Sequence, residues 1–248
     1  MEAKNIMSYN FIDGADRIDE ILNAERSNFS NEENIPSRSS LTYTNGYYVN
    51  VTAMFVDIVG SSDMTESHKR PTLAKIYRSF ISECVAIMNS ESICKEINIY
   101  GDCVWGVFDT LLDLDEDDID KVFYIAYTIN GMINILNYKL KKKGYSTISI
   151  GIGIDYGLAL MVKAGYSGSS INDVIWMGDV VNSASNICSI AGRNGRETII
   201  VSNFIYKNLK KRNQGLLRPY YDSELSGRYY EGNIVNTSTK KWYKENCK

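Results

Sequence analysis

"YYVNVTAMFVDIV" (residues 47–59) is dense in β-branched and aromatic side chains and predicts a strand that closes on an acid, Asp57, within "AMFVDIVGSS" (53–62). A helix follows. "RPTLAK" opens it with Pro71 in the first turn, and Leu73, Ile76, Tyr77, Phe80, Cys84, Ile87 and Met88 recur at three- and four-residue steps. "KEINIYGDCVWGVFD" (95–109) then gives two apolar runs joined by Gly101-Asp102. Glycine at the first central position suits a two-residue type II′ hairpin turn, so Asp102 falls at a turn.

The pattern continues to the end of the chain. Residues 118–139 carry acids in the first turn, Val122, Ile125, Ile129, Ile133 and Leu136 on one face, and lysines at the end, as a helix requires. "TISIGIGID" and "LALMVKAG" read as strands, "DVVNSASNICSIA" as a helix, "ETIIV" as a strand and "NFIYKNLKK" as a helix. The order is βαββαβ-like with additions, an α+β fold with helices on one face of a mostly antiparallel sheet. Residues 1–46 read as an N-terminal extension. It holds a helical pattern around Ile18, Ile21 and Leu22, then a loop-like "SNFSNEENIPSRSS". Residues 211–248 read as a last strand and short tail, and the acidic run "DLDEDDID" as a helix cap rather than a calcium loop.

Composition narrows the partners. The chain has 248 residues, 44% hydrophobic and 23% charged, with a net charge of −3. That length suits one domain with an appendage and offers no broad basic surface for nucleic acid. Five scattered cysteines, never spaced C-x-x-C, argue against a disulfide framework or a zinc site and for a reducing compartment. No signal-peptide pattern and no run of 18 apolar residues stands in the sequence, so a cytoplasmic protein off the membrane is expected. His68 is the lone histidine, which leaves little room for a histidine triad. "GIGIDYG" lacks the dinucleotide-loop spacing and reads as a strand with glycines for close packing.

If the strands carrying Asp57 and Asp102 are neighbours, the two carboxylates face each other. Hard oxygen donors so placed suit magnesium or manganese, with substrate phosphates completing the shell. On spacing alone, a strand-end acid and an ordinary turn aspartate are the favoured reading, since aspartate is common in turns.

"FVDIVGSS", "EINIYGDCVWGVF" and "WMGDVVNSASN", in this order, resemble the signature segments of class III nucleotide cyclases over residues 47–210, taken as the catalytic domain, with 211–248 completing it. The resemblance implies two divalent cations, Mn2+ or Mg2+, held by Asp57, the carbonyl of Ile58 and Asp102. It further implies cyclisation of a nucleoside triphosphate in a homodimer, with Asn182 reaching in from the second subunit to position the ribose. The family's transition-state arginine falls on Asn186, so either another cation, Lys163, Arg193, Arg196 or a C-terminal lysine, takes its duty or phosphate stabilisation is weaker. The family's base-selecting positions fall on Asn98 and Ile175, beside Trp176, and carry neither purine code. Phe55 would shape the pocket, and Lys163 would favour uracil's O4 if it reached there.

Further segments, among them "HKRPTLAKIYRSFISE", "MVKAGYSGSSINDVIWMGDVVN" and "YYEGNIVNTSTKKWYKE", are similar to the pyrimidine cyclases of bacterial antiphage systems. That resemblance implies conversion of CTP or UTP to cyclic CMP or cyclic UMP, a messenger for a separate effector protein. The amide of Asn98 fits either pyrimidine. A catalytically silent nucleotide-binding module and an adenylate cyclase with an altered pocket are the alternative readings.

Overall fold

The computed structural model describes residues 8–112, 117–166, 172–222 and 227–247. Along the chain run α1 (Phe11–Leu22), β1 (Phe29–Glu32), β2 (Gly46–Val59), α2 (Ser61–Ser67), α3 (Arg70–Met88), β3 (Cys94–Tyr100), β4 (Cys103–Phe108) and α4 (Asp118–Lys142). There follow β5 (Ser149–Gly165), β6 (Asn172–Met177), α5 (Asp179–Ile190), β7 (Ile199–Ser202), α6 (Asn203–Asn208), α7 (Lys211–Gln214), β8 (Arg218–Asp222), β9 (Gly227–Gly232) and α8 (Thr237–Asn246). The expected βαββαβ order is the run β2-α3-β3-β4-α4-β5.

One sheet takes the order β3-β4-β2-β5-β7-β9-β8, with β1 and β6 added against β2 and β5. Its pairings are antiparallel except β1 with β2 and β5 with β7. The architecture is α+β.

Alternation along β2 sorts side chains onto two faces. Met54, Val56 and Ile58 turn toward α3 and α4, where Phe80, Phe108 and Phe123 are fully buried. Each phenylalanine truncated to alanine there is expected to cost about 3–5 kcal/mol. Val51, Ala53 and Phe55 turn the other way, toward Val180, Ala184 and Cys188 of α5. The helices therefore cover both faces of the sheet, where the sequence suggested one.

Glycine explains α5. A Cβ on Gly153 would stand 2.3 Å from the Cys188 backbone nitrogen and 2.4 Å from the Ala184 carbonyl oxygen. One on Gly151 would stand 2.4 Å from the Ala191 carbonyl oxygen. The strand has no side chains at these points, so the helix backbone rests directly on it. That is the close packing expected of "GIGIDYG".

Three local readings change. "TISIGIGID" and "LALMVKAG" form one long strand, β5, because β2 offers it an unbroken partner from Gly46 to Val59. The loop-like stretch after α1 contains β1, which pairs with Gly46–Val49. Its side chains are mostly exposed, so it shows no alternation to read. The C-terminal tail is helical: Asn236 caps α8, and Tyr243 sets its ring edge-on to Tyr138 of α4, centroids 6.1 Å apart. In the acidic run, residues 113–116 lie outside those described. Asp120, in the first turn of α4, accepts from the Lys210 backbone N–H at 3.2 Å. Among the described residues, no helix is long and apolar enough to cross a membrane.

Candidate active site

Register brings the two acids together. Asp57 of β2 lies opposite Cys103 of β4, and Tyr100 and Cys103 pair across a two-residue turn made by Gly101 and Asp102. Gly101 has φ +63°, a left-handed conformation that glycine adopts without a Cβ penalty. Asp102 thus sits at the rim beside the end of β2, as expected.

The charges feel each other. Burial holds the Asp57 carboxyl above the ordinary carboxylate range, and the Asp102 charge raises it further, against the lowering effect of Arg193. The Tyr77 phenol on α3 is raised by burial, then by the charges of Asp102 and Asp57, and so belongs to the same neighbourhood. Periodicity had marked Tyr77 only as a member of a packed helix face. The Cys103 thiol is pushed up to about 12, first by burial and then by Asp57 and Asp102.

Arg193 lies just beyond α5 and turns back onto this rim. Its Nη2 donates to Asp57 Oδ2 at 2.7 Å, and its Nη1 donates to the carbonyls of Cys188 and Ala191, each at 3.1 Å. The turn that aims it is built on left-handed residues on either side, Gly192 at φ +68° and Asn194 at φ +51°.

The donor set fits divalent cations. Two carboxylates and a backbone carbonyl at Ile58, whose side chain is buried, are hard oxygen ligands of the kind magnesium and manganese take. A guanidinium already stands against Asp57, so the rim is organised around positive charge. Among the described residues no cluster of three or more His, Cys, Asp or Glu gathers.

Next to the carboxylates lies an aromatic floor. Phe55 and Trp105 stack in parallel with centroids 4.9 Å apart, and Asn98 pairs with Trp105 from β3. The Asn98 Nδ2 is buried and has no hydrogen-bond partner among the described residues. Such a donor costs stability unless something supplies an acceptor. Trp105 passed unnoticed in the sequence because only the pairing register sets it between Phe55 and Asn98.

The remaining positions stand elsewhere. Ile175 pairs with Val162 whereas Phe55 pairs with Gly153, so the two lie well apart along β5, and Ile175 is exposed. Trp176 is buried in the cluster of the α5 face, with its Nε1 unpartnered among the described residues. Lys163 holds its ammonium 5.0 Å from the centre of the Tyr43 ring. Asn182 and Asn186 sit one turn apart on the exposed side of α5, opposite the Val180, Ala184, Ile187 stripe that packs inward. Within one chain they point away from the sheet that carries Asp57.

Residues 44–238 match the adenylate and guanylate cyclase catalytic domain. The chain is 38% identical to a uridylate cyclase of Gulbenkiania mobilis, over 96% of its own length and 97% of that protein. It is 36% identical to one of Treponema porcinum, over 96% and 82%. Among solved structures, the adenylyl cyclase CyaB from P. aeruginosa superposes with a TM-score of 0.63 at 18% identity, covering 78% of this chain and 97% of that one. The guanylyl cyclase Cya2 gives 0.62 at 16% identity, covering 77% and 95%.

Proposed function

Because this chain belongs to the adenylate and guanylate cyclase catalytic domain family and is a nucleotide cyclase, we propose that it converts UTP to 3′,5′-cyclic UMP and pyrophosphate. The observation that carries the reading is the carboxylate pair, Asp57 at a strand end and Asp102 in the facing turn. The choice of base rests on the relatives named uridylate cyclase, since the buried Asn98 donor would find an acceptor on either pyrimidine.

In the reaction the ribose 3′-oxygen bonds to the α-phosphorus as the bond from that phosphorus to the bridging oxygen breaks. The bonding pair leaves with pyrophosphate, and the hydroxyl proton passes to solvent. Asp57, Asp102 and the Ile58 carbonyl would hold one or two divalent cations, which make the hydroxyl more acidic and neutralise the leaving group when bound. Phe55 and Trp105 provide a face for the base, and Asn98 reads its edge. Asn182, with Asn186 beside it, would orient the ribose from a second subunit, because both face away from the acids of their own chain. A homodimer follows from that division.

The compartment and role follow the same reading. All five cysteines are free, which suits a reducing cytoplasm. The cyclic nucleotide would serve as a messenger in antiphage defence, acting on a separate effector. The segments similar to antiphage pyrimidine cyclases support this role.

The test is incubation of the purified protein with each of the four ribonucleoside triphosphates and manganese, followed by mass-resolved chromatography, with Asp57→Ala and Asp102→Ala as controls. Cyclic UMP absent from both controls is the expected result. Cyclic CMP as the main product would reassign the base, and a cyclic purine would return the chain to the purine cyclases. Binding without turnover of any base would favour the silent module, the reading that Asn186 in place of arginine supports.

A further inference from the structure

A cyclase with Asn186 at the outer face of α5 needs a cation from elsewhere for the charge that builds as pyrophosphate departs. The sequence offers several, and the fold separates them. Lys163 stands over the Tyr43 ring, and Arg196 stands over the Tyr220 ring at 3.6 Å. The C-terminal lysines ride on α8, which packs on α4, across the sheet from α5. Arg193 of the same chain meets the carboxylate of Asp57.

Its anchoring is asymmetric. One nitrogen, Nη1, is held by two carbonyls at the end of α5, and the other, Nη2, reaches Asp57. The carbonyl pair fixes the guanidinium in place independently of Asp57. Those carbonyls are themselves fixed, because Cys188 and Ala191 lie directly on Gly151, the residue opposite Asp57. About a quarter of each side chain in the Arg193–Asp57 pair is exposed, so the contact faces the opening rather than the core.

We propose that Arg193 is a catalytic residue that binds the triphosphate in cis, replacing the arginine that α5 lacks at position 186. In the protein without nucleotide it neutralises Asp57. When divalent cations engage Asp57, Nη2 exchanges the carboxylate for a phosphate oxygen while Nη1 stays on its two carbonyls. Its charge then falls on the leaving pyrophosphate as the bond to the α-phosphorus breaks. A planar fork serves this exchange better than an ammonium, since it bonds anchor and ligand at once.

This assignment rests on the cyclase reading above, and its test is a binding measurement, so the two can fail separately. The full chain is titrated calorimetrically with Mn2+ alone and then, saturated with Mn2+, with inorganic pyrophosphate, for the wild type, Arg193→Gln and Arg193→Lys. Pyrophosphate affinity is expected to fall ~10- to 100-fold in Arg193→Gln, the loss of a hydrogen bond to a charged group. Arg193→Lys should recover part of it. Mn2+ alone should bind Arg193→Gln at least as tightly as wild type, because a competing cation has gone. Unchanged pyrophosphate affinity in Arg193→Gln overturns the proposal. So does an equal loss of affinity for Mn2+ alone, which would mark Arg193 as a mere brace for α5. Absence of cyclic product from wild type would count against the cyclase reading and leave the pyrophosphate comparison to be judged by itself.

Discussion

The inner and outer sides of α5 follow opposite logic. On the inner side small residues rest on glycines, Arg193 is fixed by three acceptors, and the charges of Asp57 and Asp102 are set against it. On the outer side Asn182 and Asn186 face solvent one turn apart. On the function proposed above, the contrast means that one chain would supply a phosphate-and-cation rim together with a ribose contact that serves another copy. Self-complementary halves of this kind are what a two-fold dimer can join.

The sharpest way to break this contrast is to separate the halves. Asp57→Ala and Asn182→Ala should each lose cyclic product, Asp57→Ala on the order of 1,000-fold. Mixed in equal amounts they should return about a quarter of wild-type turnover, since half the dimers are mixed and each carries one intact site. Product would be followed by mass-resolved chromatography. No recovery after confirmed subunit exchange would mean that each chain builds its site alone.

A smaller effect probes the inner side directly. The Cys103 thiol, pushed up to about 12, holds little thiolate near neutral pH. Iodoacetamide at pH 8 should modify it ~100-fold more slowly than in the urea-unfolded chain, read by peptide mass spectrometry. The sign is fixed by the raised value. Whatever Cys103 adds to stability is present below the unfolded thiol's pKa and fades as pH climbs toward 12. Fast labelling in the folded protein would show a wet, open rim in place of the desolvated one.

The smallest change sharpens the comparison at its hinge. Gly153→Ala pushes a methyl against helix backbone that has no flexible side chain to yield. It should cost about 1–3 kcal/mol and lower the melting temperature by several degrees in a thermal scan. Gly157→Ala, whose added methyl would meet only the Val180 side chain at 3.4 Å, is the milder control. Equal melting temperatures for the two variants would show that α5 does not rest on Gly153.

The chain's own letters were enough for much of this. β2, α3, the Gly101-Asp102 hairpin and α4 were readable because period-2 and period-3.6 patterns and turn glycines are local signals. Asp57 and Asp102 were readable for the same reason, one at a strand end and one in a turn. The strand β1, the seat of α5 on the second face and the stacking of Trp105 on Phe55 were not. Each depends on which backbone lies alongside, and sequence spacing does not carry that information. The cation that replaces an arginine at 186 shows the boundary clearly. Sequence determined that position 186 is uncharged and supplied several candidates. Only the tertiary structure chose among them, because it sent two to aromatic rings, carried the C-terminal lysines across the sheet, and folded Arg193 back through a left-handed turn onto Asp57.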